Sequence, residues 1–198
     1  MKIAVKTALP SNKAMLRELQ AAPKKLTKVY QRAINKTAKS VRTHISSVLR
    51  NELNIKKTDL DNRNLKVFFS RAGDGTKSLL TIRGARIPLI YFDAKQGPRS
   101  QRNPHAPPGK KGVTYRIKKG GKREDIRNAF IVTFRSGHTA VVRRAGKKRY
   151  KIHQLFGPSV KEAALNNPKL SKAALAPVIE NRLQKEVDHA AKRVLKLK

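Results

Sequence analysis

The sequence predicts an α+β protein, with an antiparallel β-sheet or a partly closed barrel flanked by a long N-terminal amphipathic helix and a C-terminal helix. Two observations carry that expectation. Apolar residues recur at helical steps after Pro23 and again near the C-terminus, whereas the middle of the chain alternates short apolar runs with glycine turns. At 198 residues the chain suits one fold with a core of useful size, so residues 1–198 are expected to form a single domain.

Residues 1–22 read as an N-terminal arm or edge strand, mixing Ile3, Val5 and Leu9 with Pro10 before a short helical pattern at Met15, Leu16 and Leu19. Residues 23–57 hold the long helix. Leu26, Val29, Tyr30, Ala33, Ile34, Thr37, Ala38, Val41, Ile45, Val48 and Leu49 keep steps of three and four. Pro23 is well placed in its first turn, where a missing N–H costs nothing. Lys24, Lys25, Lys28, Arg32, Lys36, Lys39 and Arg42 fill the remaining positions with no acid among them, so the outer side is a cationic ridge. Its bland reading is a solvated face.

Thr58 with Asp61 reads as a variant capping box for a short helix over about 59–64. The β-rich core is expected over 65–153, with about five to seven strands. It opens with a hairpin of strands 65–69 and 78–83 around Gly73-Asp74-Gly75. The run Ile87 to Phe92 reads as an edge strand, because Pro88 cannot donate to a ladder. Residues 94–112 form an extended basic loop, of a length that is functional more often than incidental. A strand at 113–118 and turns at Gly120-Gly121 and Glu124-Asp125 lead into the central stretch, 129–159. There Phe130, Val132 and Phe134 share one strand face, Ser136-Gly137 and Ala145-Gly146 turn the chain, and a three-stranded meander follows. Residues 158–198 are helical: a short piece at 160–165, a break at Asn166-Asn167-Pro168, and a main helix over 177–195 that takes Pro177 in its first turn.

Charge is the strongest functional signal. The 47 Lys and Arg against 12 Asp and Glu give +35, and such self-repulsion calls for a polyanion or an acidic protein surface as partner. The candidate contacts are Arg143, Arg144, Lys147, Lys148 and Arg149 in the meander, with Lys118, Lys119, Lys122 and Arg123 before it. Arg99, Arg102, Lys110 and Lys111 make the loop 94–112 a candidate docking element. Aromatics, at 5%, are not interleaved with the basic runs, which disfavours a stacking groove for single strands.

Catalytic chemistry finds no support. The absence of cysteine excludes disulfides, thiolate metal sites and Cys nucleophiles. The histidines at 44, 105, 138, 153 and 189 form no HxxxH pair, and the carboxylates are scattered. The Gly-Lys pairs lack the upstream glycine of a P-loop, and Ser136 and Ser159 have no nucleophile-elbow context. The expectation is a non-enzyme with no cofactor, metal or small-molecule substrate. No stretch approaches the ~20 apolar residues of a membrane span.

The segments RAINKTAKSVRT, GARIPLIYFDA, GVTYRIKKGG, AFIVTFRSGH and KIHQLFGPSV, in this order over roughly residues 25–165, resemble the phage minor tail protein Z family, also found in prophages. Phe134 to His138 and Leu155 to Ser159 are the most specific blocks, and the first 20 and last 30 residues carry little of the resemblance. The resemblance implies a structural virion protein, a tail completion factor at the head-proximal end of a long phage tail. Its implied partners are the tail terminator, tail tube and head–tail connector, with packaged double-stranded DNA close by. A homo-hexameric ring in the phage neck, assembled in the bacterial host cytoplasm, is also implied. The family offers no catalytic residue to carry over.

Overall fold

The computed structural model describes residues 2–4, 12–70, 78–96, 112–146 and 151–195. In chain order the elements are β1 (Lys2–Ala4), α1 (Lys13–Gln20), α2 (Pro23–Glu52), α3 (Lys57–Asn64), β2 (Leu65–Phe68), β3 (Leu79–Ile82), β4 (Arg86–Pro88) and β5 (Lys95–Gln96). There follow β6 (Val113–Tyr115), β7 (Glu124–Ile126), β8 (Ala129–Thr133), β9 (Thr139–Arg144), β10 (Ile152–Gln154), β11 (Phe156–Ser159), α4 (Val160–Leu165) and α5 (Lys172–Leu195). The α+β class holds, with every strand pairing antiparallel. The strands form four small open sheets, so the barrel alternative is not realised. Among the described residues eleven strands are present, more than the five to seven expected, because most are only two to four residues long.

The chain divides into two compact units. The first comprises Met1–Val48, Asp61–Arg83 and Ala164–Lys198. Its core is helical: Met15 and Leu19 of α1, Val29, Ala33 and Ile34 of α2, and Leu183, Val187, Ala190 and Ala191 of α5 are buried together. Met15, Leu19, Val29, Ala33 and Ile34 are positions the three-and-four spacing marks, so periodicity places the apolar stripe of α1 and α2. Beside the helices stands the sheet β1-β3-β2, which makes β1 the edge strand expected of the N-terminal arm. Asn35, a polar break in the stripe of α2, ties the β2–β3 hairpin to the helix. Its amide donates to Ser70 O (3.1 Å), while its Oδ1 accepts from Ser70 N (2.9 Å) and Ser78 Oγ (2.6 Å). The loop Gly73-Asp74-Gly75 lies outside the described residues.

Two expectations in this unit are corrected. Helix α3 starts at Lys57, so Thr58 is not its cap, and Asp61 instead accepts a 2.6 Å hydrogen bond from Ser46 Oγ of α2. Helix α5 starts at Lys172, five residues before Pro177, because Ser171 Oγ caps it by accepting from Ala174 N (3.2 Å). Pro177 therefore sits inside the helix, where it leaves the carbonyl of Ala173 without its usual donor.

The second unit comprises Leu49–Leu60 and Gly84–Ala163. Its sheets are β11-β4, β5-β6-β7 and the meander β10-β9-β8. Ile87, Leu89, Phe92, Val113, Ala129, Ala140, Val141, Val142 and Val160 are buried. Gln96 Oε1 accepts from Ile131 N (2.8 Å), connecting β5 to β8. The long helix ends at Glu52 rather than near 57, where Leu53 bridges to Lys118 and Lys119 N donates to Glu52 O (2.8 Å).

Three sequence readings change here. The apolar run from Ile87 to Phe92 is a strand only through Pro88; Leu89–Tyr91 then make one turn of 3-10 helix that buries Leu89 and Phe92. Glu124 and Asp125 lie in strand β7 rather than a turn, paired with Tyr115 and Thr114. Phe134 falls beyond the last residue of β8 and is half-buried, so it is not a core residue of that strand.

Candidate polyanion interface

Between β6 and β7 the chain turns through Lys118–Arg123, with Gly120 at φ +74 and Gly121 N donating to Lys118 O (3.1 Å). A residue with a Cβ is strained at that φ, so the glycine makes the tight turn possible. Lys118, Lys119 and Lys122 are exposed on this turn. Arg123 differs. Its guanidinium donates to the Asp93 carboxylate (2.5 Å) and to the Asp93 backbone oxygen (2.6 Å). The Arg123 hydrogen bond holds the Asp93 carboxyl below its ordinary pKa, with the Arg123, Lys95 and Arg116 charges adding to it. Arg123 is therefore spent on fixing the chain at Asp93, which itself has a positive φ of 51°. Its neighbours Lys118, Lys119 and Lys122 remain turned to solvent.

The meander arginines do not form one patch. Successive residues of a strand point to opposite faces, so Arg143 and Arg144 on β9 diverge. Arg143 stands opposite Ala129 and His153 in the ladder, whereas Arg144 stands opposite Ile152. The Arg144 guanidinium carbon lies 5.5 Å from the Phe130 ring centroid, a cation–π contact across the sheet. Both arginines are exposed, one to each face. Lys147, Lys148 and Arg149, and the candidate docking residues Arg99, Arg102, Lys110 and Lys111, lie outside the described residues.

In the first unit the cationic ridge of α2 is partly engaged. Lys36 Nζ reaches Glu186 at 3.4 Å, Lys39 Nζ sits 5.2 Å from the Phe69 ring centroid, and Arg42 donates to Asp61 O at 3.0 Å. Arg182 closes on the same Glu186 at 3.1 Å. The Arg182–Glu186 pair was open to sequence reading as an i,i+4 spacing, but its link to Lys36 was not. His138 stacks on Phe134 in the β8–β9 turn with ring centroids 5.9 Å apart, while His153 on β10 stands opposite Arg143. Among the described residues no group of three or more His, Asp or Glu stands close enough to hold a metal ion. Nor does any described helix have the length and apolarity to cross a membrane.

The two blocks singled out by sequence have structural duties. In Phe134 to His138, Phe134 N donates to His138 O (2.8 Å) and Gly137 takes φ +80, closing the β8–β9 turn. In Leu155 to Ser159, Leu155 N donates to Val141 O (2.8 Å) and Leu155 O accepts from Leu89 N (3.0 Å). Gly157 lies against Phe92 so closely that an added Cβ would stand 2.5 Å from the ring. Ser159 Oγ accepts from Glu162 N (3.1 Å), capping α4. The family model described as prophage minor tail protein Z matches residues 11–198. The chain belongs to this family. No curated protein and no solved structure matches it. Membership makes it a phage minor tail protein, a structural component of the virion. The family match also takes in the C-terminal helix α5, which the sequence resemblance left largely outside.

Proposed function

We propose that this minor tail protein acts as a tail completion factor at the head-proximal end of the tail, joining the tail tube and its terminator to the head–tail connector. Family membership supports the tail assignment, and the charge of +35 is the observation that carries the junction reading. A neck component lies between packaged DNA and neighbouring rings, and a strongly cationic chain is held in place by either kind of anionic surface. In this reading the protein forms a homo-hexameric ring, assembles in the host cytoplasm, and works without catalysis. Removing the gene from a phage and imaging the particles by negative stain tests the idea. Tails with abnormal head-proximal ends or poor head joining are expected, and normal infectious particles refute it.

The charge also favours a second reading, sequence-independent binding of duplex DNA. Phosphate contacts by Lys and Arg carry no base information and weaken steeply with salt, by ~10³–10⁵ for ~6–10 contacts between low and moderate salt. Purified protein is then expected to bind unrelated duplexes equally, with a steep salt slope. Tight association with tail tubes but none with DNA would assign the charge to protein docking.

A further inference from the structure

Outside the predicted contact residues, the first unit contains an open cleft of about 590 Å³ between α2 and α5, whose lining residues carry polar or charged groups at the ends of apolar stems. One wall is a stripe of α2 in which Lys36, Ser40, Thr43 and Ser47 recur at steps of three and four, with Lys39 and His44 beside them. Arg182 of α5 lines the other wall. The single carboxylate in the lining, Glu186, is already bracketed by Lys36 (3.4 Å) and Arg182 (3.1 Å), and its side chain is only 11% exposed. Three cations therefore face one carboxylate, and that carboxylate positions two of them.

We propose that this cleft binds the phosphodiester backbone of nucleic acid, with Lys36, Lys39 and Arg182 as counter-charges and the Ser40 and Ser47 hydroxyls as donors. The proposal rests on the DNA-binding reading and gives it a place in the fold. The lining selects the chemistry. Cations repel a basic partner, and an apolar partner would strip water from the hydroxyls without offering them an acceptor. Phosphate oxygens accept from both Lys or Arg and Ser, the usual mix in backbone contacts. The length of the stripe also fits. From Lys36 to Ser47 the helix rises roughly 16 Å, at 1.5 Å per residue, long enough to reach more than one phosphate of a strand. Thr43 Oγ1 donates to Lys39 O (3.1 Å), so this hydroxyl is held within the helix and leaves the cleft floor to its neighbours.

The test is fluorescence anisotropy of a short labelled duplex of arbitrary sequence, titrated with the full chain at several salt concentrations. The Ser40→Glu/Ser47→Glu double variant places two negative charges on the stripe and is expected to bind about tenfold more weakly, with a shallower salt slope. Lys39→Gln, which cannot disturb the helix by charge repulsion, is expected to reduce the slope by about one. Lys172→Gln, at the other end of α5, gauges the loss of one exposed charge elsewhere and is expected to have a smaller effect. If the wild-type protein binds duplex and both cleft variants bind like Lys172→Gln, the cleft proposal is overturned while the DNA reading stands. If the wild-type protein binds no duplex at low salt, both fall.

Discussion

Arg123 grips Asp93 twice, through the carboxylate and through the backbone oxygen. This relationship turns a residue that looks like a free cation into a clamp on a backbone position with positive φ. Arg123→Gln is therefore expected to lower stability by about 0.5–1 kcal/mol, the scale of a partly exposed pair. The variant should leave duplex or tail binding unchanged, whereas Lys119→Gln should weaken the anionic contact without unfolding. Asp93 has a depressed carboxyl pKa, so its contribution is complete above the ordinary carboxylate range and is lost as pH falls through the folded value. Asn tolerates positive φ, so Asp93→Asn removes the charge while keeping the backbone. Melting temperatures measured for both proteins should differ at neutral pH and converge in acid.

A second pH effect lies at the alkaline end. Burial, together with the hydrogen bond from its hydroxyl to Glu124, pushes the Tyr115 phenol up to about 12. The folded state then holds a proton that the unfolded chain gives up near 10, so this contribution is present below pH 10 and is lost as pH rises toward 12. Thermal unfolding of Tyr115→Phe should show a smaller drop across that window than wild type, and absorbance titration should show one late-ionising tyrosine missing.

Phe134 sits at the hairpin turn, stacked on His138, and is half-buried. Its truncation to Ala should cost about 1 kcal/mol, in the range of an aromatic pair contact. Leu80→Ala removes a fully buried side chain and should cost about 2–5 kcal/mol. Urea midpoints of the two variants order the residues, and an equal loss would place Phe134 back in the core.

Gly157 has no room for a side chain because the Phe92 ring occupies it. Gly157→Ala should destabilise by about 1–3 kcal/mol through overpacking. The double change Gly157→Ala with Phe92→Leu should recover part of that loss, and its absence would place the strain elsewhere.

The legible parts of this protein were those set by local spacing. The stripe of α2 follows from three- and four-residue steps, the strands of the meander from the two-residue period, and the turn at Gly137 from the Ser136-Gly137 pair. The start of α5 was misread because Pro177 draws attention to itself, while the capping power of Ser171 six residues earlier is silent in a polar stretch. The run at Ile87 conceals the change from strand to helical turn, since both bury apolar side chains. At the site, the divergence of Arg143 and Arg144 follows from strand parity and was available from the sequence. The partner of Arg123 was not, because Asp93 lies 30 residues away. The cleft of α2 and α5 was equally out of reach, joining Lys36 to a residue 150 positions later in the chain.

The scarce acids have a further consequence. Asp93, Glu124, Glu186 and Asp61, four of the twelve acids, each hold an internal partner. Positive charge remains in large excess on the folded chain, net +35, so two copies in dilute low-salt buffer repel one another.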